Sequence, residues 1–148
     1  MKYNIFRYQI IMFIVMFFVG IFFNPMNILA YKINHFYIST TLIYSGLLMA
    51  SNMMWAHEIV HYISMGHFNF YIFLFGLFLS IFISILLLRE QFMVSERQWL
   101  KRMISHHSTA ITTSKQLIKK NKKSKIFRFI KNLIYNQEQE IEYMKSLL

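Results

Sequence analysis

Residues 8–23 read YQIIMFIVMFFVGIFF, a run with no charged side chain that is closed by Asn24-Pro25. Proline cannot continue a helix and biases the residue before it away from helical geometry, so the run stops there. Lys2 and Arg7 precede it, as they would in a signal peptide. The run is Phe-rich and lacks a small-x-small cleavage site, so an uncleaved membrane span is expected over about 8–23. Two more apolar segments follow, about 33–56 and about 68–88. Tyr31, Tyr37, Trp55 and Tyr62 flank the second like interfacial anchors. Its middle carries Ser39, Thr40, Thr41, Ser45, Gly46, Ala50 and Ser51, small residues that let membrane helices approach closely. The third ends at Arg89-Glu90. Each approaches the ~20 residues needed to cross a ~30 Å hydrocarbon layer.

Composition agrees with this reading. Hydrophobic residues make up 56% of the 148, and 16 are Phe. A mean hydropathy of +0.39 leaves more apolar surface than a soluble fold of this length can bury. There is no cysteine, so disulfides, zinc ribbons and thiolate catalysis are excluded. There is no aspartate either. All six acidic residues are Glu: Glu58, Glu90, Glu96, Glu138, Glu140 and Glu142. The net charge is +10, and residues 115–131 hold eight Lys/Arg with no acid. Such a stretch suits anionic lipid headgroups or nucleic acid; the plainer reading is a solvated helix face beside a bilayer, and nucleic acid is not expected. Richness in Ile, Lys, Asn, Phe and Tyr points to an AT-rich genome, which by itself raises Lys. Three spans place the termini on opposite sides. Lys32, Arg89, Arg97, Lys101 and Arg102 against Lys2 and Arg7 give a vote for a cytoplasmic C-terminus.

From about Val94 the pattern becomes amphipathic. Trp99, Leu100, Met103, Ile104, His107, Ala110, Ile111, Ser114, Leu117 and Ile118 recur at three/four spacing. Asn121-Lys122-Lys123-Ser124 breaks the pattern. A second stripe follows through Ile126, Phe129, Ile130, Leu133, Ile134, Gln137, Ile141, Met144 and Leu148. A short break between two such helices predicts an antiparallel hairpin. Pairing Ile118 with Ile126 sets Ser114 opposite Ile130, Ile111 opposite Leu133, His107 opposite Gln137 and Leu100 opposite Met144. The expected architecture is therefore all-α: a membrane region over 1–92 with three transmembrane helices, then a helical hairpin domain over 93–148. A lone hairpin has little core, so it is expected to pack against the spans or to self-associate as a homo-oligomer.

Trp99-x-x-x-Met103-Ile104-x-His106-His107-x-x-Ala110-Ile111, followed by Gln137-x-x-Glu140-Ile141-x-x-Met144, resembles the domain of unknown function 305 family. The resemblance covers about residues 95–148. The preceding region, with Tyr44-x-x-Leu47-Leu48-Met49-Ala50, is similar to a membrane-anchored subgroup. It implies a ferritin-like half-bundle, some of whose relatives are implicated in binding copper or silver. Ser105 and Thr112-Thr113 stand where many members have Pro and Asp-Met. The residue chemistry agrees. With no cysteine, imidazole and thioether are the soft ligands available, and copper(I) or silver(I) accepts both. Met103 and His107 share a helix face, as do Glu140 and Met144. The candidate metal set is Met103, His106, His107, Glu140 and Met144, with Glu140 or Gln137 holding an imidazole by its other nitrogen. A plain core role for the methionines is the alternative.

His57-Glu58-Ile59-Val60-His61 matches the zinc metallopeptidase pattern, two imidazoles on one face with a glutamate to activate water. His67 sits where a third ligand falls in some such enzymes. That pattern needs Gly at the position of Ser64, and a later acidic ligand on the same membrane side is missing. His57, Glu58, His61 and His67 are therefore kept as a second candidate metal site, for zinc or another ion, without catalysis. The leading expectation is a membrane-anchored protein that handles copper or silver ions without chemical turnover. A membrane zinc metallopeptidase and a structural or interaction protein docking on anionic lipid are the alternatives.

Overall fold

The computed structural model describes residues 5–121 and 125–148, and among them every regular element is helical. The chain divides into two compact units. One comprises Met1–Phe23 and Thr40–Met93; the other comprises Asn24–Ser39 and Val94–Leu148. Residues 24–39 thus cluster with the C-terminal unit, where a single boundary at 92/93 was expected.

In the first unit, α1 spans Ile5–Phe22, α3 Thr40–Met65 and α4 Phe70–Phe82, the last continuing as a wider π-helical turn over Ile83–Arg89. The wider winding shows at its end, where Glu90 N donates to Ile85 O at 3.1 Å, an i→i+5 bond. α3 lies between α1 and α4 and packs on both. The contacts rest on small residues. A Cβ added at Gly20 would stand 2.8 Å from Gly46 Cα, and one at Gly46 would stand 2.9 Å from the Phe17 carbonyl oxygen. On the other side, Ser80 Oγ donates to Ser51 Oγ at 3.1 Å beside Gly76. The backbones meet because these positions carry almost no side chain, as in helix pairs packed in lipid.

Two helices are long and apolar enough to cross a membrane, Ile5–Ile28 and Phe70–Arg89. The expectation of three spans is corrected here. Residues 33–35 form a 3₁₀ turn, the chain then runs extended, and α3 begins only at Thr40. It continues past Ala56 to Met65, so it carries His57, Glu58 and His61 within its last turns. Those polar residues and the hydroxyls of its small-residue face dilute the apolar run.

In the second unit, α2 (Pro25–Ile28) opens with Asn24 as its cap, whose Oδ1 accepts from Met26 N at 2.8 Å. Asn24-Pro25 therefore ends one helix and starts the next. A 3₁₀ turn at Ile33–His35 follows, then α5 (Glu96–Lys120) and α6 (Phe127–Ser146). The predicted break at residues 121–124 falls largely on Lys122, Lys123 and Ser124, which lie outside the described residues, as does Lys2. Ile104, Ile111, Ile141 and Met144 form the core, with Tyr37, Leu100, Met103, Ile134 and Leu148 packed around them. Ile104 and Ile111 are fully buried and each contributes about 1.5–3 kcal/mol.

The strap 24–39 lies on α5 through hydroxyl groups. Ser108 Oγ accepts from Tyr31 N at 2.7 Å, Ser105 Oγ donates to His35 O at 2.9 Å, and Thr109 Oγ1 donates to Met26 O at 3.2 Å. Lys115 Nζ sits 4.0 Å over the Tyr31 ring. These contacts satisfy strap backbone groups that no helix ladder reaches.

Two substitutions test this packing. Gly46→Val is expected to destabilise the first unit by about 1–3 kcal/mol through overpacking against Phe17 and Ile21. Ser108→Ala, which strands the Tyr31 N–H, is expected to destabilise the second by about 1–3 kcal/mol. Thermal melts of the detergent-solubilised chain, followed by circular dichroism, measure both.

Candidate functional site

The amphipathic stripe of α5 turns Ile104 and Ile111 inward and leaves His106 exposed on the opposite side. His107, next in sequence, lies a further 100° round the helix and is half-buried against α6. Its Nδ1 stands 2.9 Å from Glu140 Oε2, an ion-pair distance without the alignment of a hydrogen bond. Gln137 Nε2 donates to the same carboxylate oxygen at 3.3 Å. The expected opposition of His107 and Gln137 is thus shifted by about one turn, to Glu140 on the same face. Lys115 pairs with Glu138 at 2.7 Å, which also departs from the register set by Ile118 and Ile126. Such a part-exposed pair adds only about 0–1 kcal/mol.

Of the candidate metal residues, His107 and Glu140 are brought together. Met103 and Met144 pack on the same apolar core, Met144 being 7% exposed. His106 is not brought in: its ring lies 6.0 Å from that of His107, edge-on. Among the described residues, no group of three or more His and Glu side chains is arranged to hold a metal ion. That geometry does not fit a zinc-type centre. The thioethers and one imidazole are a donor set for a soft monovalent ion, which needs fewer and softer ligands.

Sequence reasoning missed His35. It is 3% exposed, with Nδ1 3.0 Å from Ser108 Oγ and Nε2 without a partner. Its only sequence signal was a histidine in a stretch read as the start of a span. Burial pushes its pKa below the ordinary 6.5; Lys145 and Lys32 add to that, and Glu142 opposes it. His107 is also lowered, again mainly by burial, against the opposing pull of Glu140 and with a further push from His106. Arg102 is lowered by burial alone. Burial also pulls on Lys115, but Glu138 and Tyr31 outweigh it and raise its pKa.

In the first unit, His57, Glu58, His61 and His67 line a cavity of about 410 Å³ at the ends of α1 and α3. His57 and His61 have ring centroids 5.7 Å apart, and His61 and His67 5.8 Å. Glu58 is buried with both oxygens engaged. Gln9 Nε2 donates to Oε1 at 2.9 Å, and Asn69 N donates to Oε2 at 2.9 Å. A carboxylate held this way ties α1 to the α3–α4 loop, which is a poor arrangement for a base that must take a proton from water.

Comparison with known proteins follows the second unit. Residues 87–148 match the family described as Domain of unknown function (DUF305). The DUF305 match begins within the π-helical segment that follows α4 and takes in α5 and α6; the strap 24–39 precedes it. An uncharacterised protein of Acanthamoeba polyphaga mimivirus is 37% identical over 68 residues, 46% of this chain and 45% of that protein. The chain thus spans about half the length of that relative. No solved structure matches.

The two lowered histidines set a pH dependence. The folded state binds their protons less tightly than the unfolded chain does. Their stabilisation is therefore complete above the ordinary value of 6.5 and is lost as pH falls through and below it. Melting of the full chain is expected to be flat above about pH 7.5 and to fall towards about pH 5. A His35→Asn, His107→Gln variant should show a shallower fall in the same calorimetric series.

Proposed function

We propose that this is a membrane-anchored protein whose DUF305 region handles a soft monovalent metal ion, copper(I) or silver(I), without chemical turnover. The observation that supports the reading is the approach of His107 to Glu140, on the two helices whose Met103 and Met144 share one apolar core. With Nδ1 turned to a carboxylate, Nε2 is the nitrogen that would meet an ion, and the carboxylate fixes the ring as outer partners of metal ligands do. The thioethers add polarisable donors in an apolar setting that suits copper(I) over copper(II). The bound ion would supply only its own soft Lewis acidity. The protein's part is to hold the imidazole, exclude water and keep the sulfurs reduced and buried.

Anchoring in the bilayer is supported by what α1 and α4 expose. Phe6 is 71% exposed, Phe78 67% and Tyr71 84%, and only 17% of each candidate span is buried. A core helix of a water-soluble protein hides its apolar side chains; these face outward, as they do against lipid. We read the α5–α6 pair as a ferritin-like hairpin, its contacts running from Lys115–Glu138 to His107–Glu140. Copper and silver come from the family resemblance together with the donor set.

Competition of the detergent-solubilised full chain with a chromophoric copper(I) chelator tests the proposal. The wild-type chain is expected to withdraw copper(I). Met144→Leu keeps the core volume and removes the sulfur, so it should weaken uptake while leaving the melt nearly unchanged. Glu140→Gln is expected to weaken affinity about tenfold through the imidazole. Equal uptake by wild type, Met144→Leu and His107→Ala would reject the assignment.

A further inference from the structure

The histidine-lined cavity of the first unit adjoins a second, apolar cavity of about 550 Å³, and Gln9 forms part of the wall of both. The second is walled by Ile10, Ile14, Met54, Phe75 and Leu79 and opens between α1 and α4. A largely apolar chamber that carries three imidazoles, sharing Gln9 with an apolar groove, suits a ligand with a small polar group on an apolar body.

The hydrogen bonds of the first chamber define the head. His61 Nδ1 lies 3.0 Å from the His67 carbonyl oxygen. A carbonyl only accepts, so Nδ1 carries the proton and Nε2 of the neutral ring offers a lone pair. His57 Nδ1 lies 3.3 Å from Gln9 Nε2. The orientation of that amide is fixed by its bond to Glu58, and an amide nitrogen only donates. Nδ1 of His57, which also lies 3.7 Å from Glu58 Oε1, accepts from this amide in the tautomer that carries its proton on Nε2. One helical turn apart, the chamber thus presents one acceptor and one donor. A hydroxyl group has the complementary pair of functions, one donor and one acceptor.

Charge and shape narrow the class further. No Lys or Arg lines the chamber among the described residues, and the buried Glu58 carboxylate stands in its wall. A phosphate head would meet the repulsion of that carboxylate. The walls are rings: Tyr8 stands 5.5 Å from His57, and the imidazoles of 57, 61 and 67 follow in series. Rings in that spacing favour a planar aromatic head. Gln9 Oε1, buried and without a partner, leaves one more acceptor at the junction.

We propose that the Gln9–His57–His61 chamber and its adjoining groove bind a quinol-class lipid, the ring hydroxyl between the two imidazoles and the apolar tail in the groove between α1 and α4. Binding alone is inferred, with no electron transfer. The site lies wholly in the first unit and does not draw on the metal reading of the second.

Calorimetric titration of the full chain in detergent micelles with decyl-ubiquinol tests it. Saturable binding is expected. The dimethyl ether of the same quinol, which keeps ring and tail but cannot donate, should bind at least tenfold more weakly. Decanol, with hydroxyl and tail but no ring, should also fall at least tenfold. His61→Phe, which keeps the ring stack and removes the acceptor, should lose a similar factor for the quinol. Equal affinity for quinol and ether in the wild-type chain, or no saturable binding, would overturn the proposal without recourse to any variant. Copper(I) uptake is expected to be unchanged in His61→Phe, which separates this site from the other.

Discussion

The second unit depends on a non-helical strap being buried against a helix. Residues 24–39 contain only short helical turns, so most of their backbone groups have no ladder to join. Ser105, Ser108 and Thr109 take them in, at Tyr31 N, His35 O and Met26 O. Each unmet bond of this kind would cost about 1–3 kcal/mol. A helix that carried only the usual apolar stripe could not hold such a strap. The hydroxyl row beside the stripe is what lets α5 serve two partners, α6 on one side and the strap on the other. This also accounts for His35, a titratable ring drawn into the unit by the strap and left with one nitrogen unpaired.

The first unit solves a different problem with the opposite chemistry. Its helices meet where side chains are smallest, at Gly20 with Gly46 and at Gly76 beside Ser51 and Ser80. Close backbone approach and a few buried polar bonds are the means by which helices pair where the hydrophobic effect is weak. Gln9 with Glu58 is such a bond at one end, and Ser80 with Ser51 is another within the α3–α4 contact. The large apolar side chains are left to face outward.

These two modes of packing separate the functional candidates. In the second unit His107 lies beside Glu140, while Met103 and Met144 belong to or pack on a conventional apolar core. Three imidazoles of the first unit line a chamber, those of His57 and His61 tied at Nδ1, and among the described residues no group of three or more His and Glu is arranged to hold a metal ion.

Much of this was legible in one dimension. The period of the α5 and α6 stripes included the buried Ile104, Ile111, Ile130 and Ile141, because a helix repeats its faces whatever it packs against, while Leu117, Ile126 and Phe129 of the same stripes are exposed. The same geometry placed Met103 and His107 on one helix face and Glu140 and Met144 on another, whereas His106, grouped with them in the sequence reading, is exposed. The charge-free run after Tyr8 and the stop at Asn24-Pro25 were equally local facts. What the pattern could not decide was which partner each polar residue would find. Ser105 read as a departure from a family motif, whereas it binds the strap; residues 33–39 read as the start of a span, whereas they belong to the other unit. Glu58 read as one of four residues of a second candidate metal site, whereas Gln9 and Asn69, distant in sequence, occupy both its oxygens. Periodicity is a property of the chain alone. Hydrogen-bond partners and the choice between two apolar surroundings are settled only when distant segments compete for the same place in space.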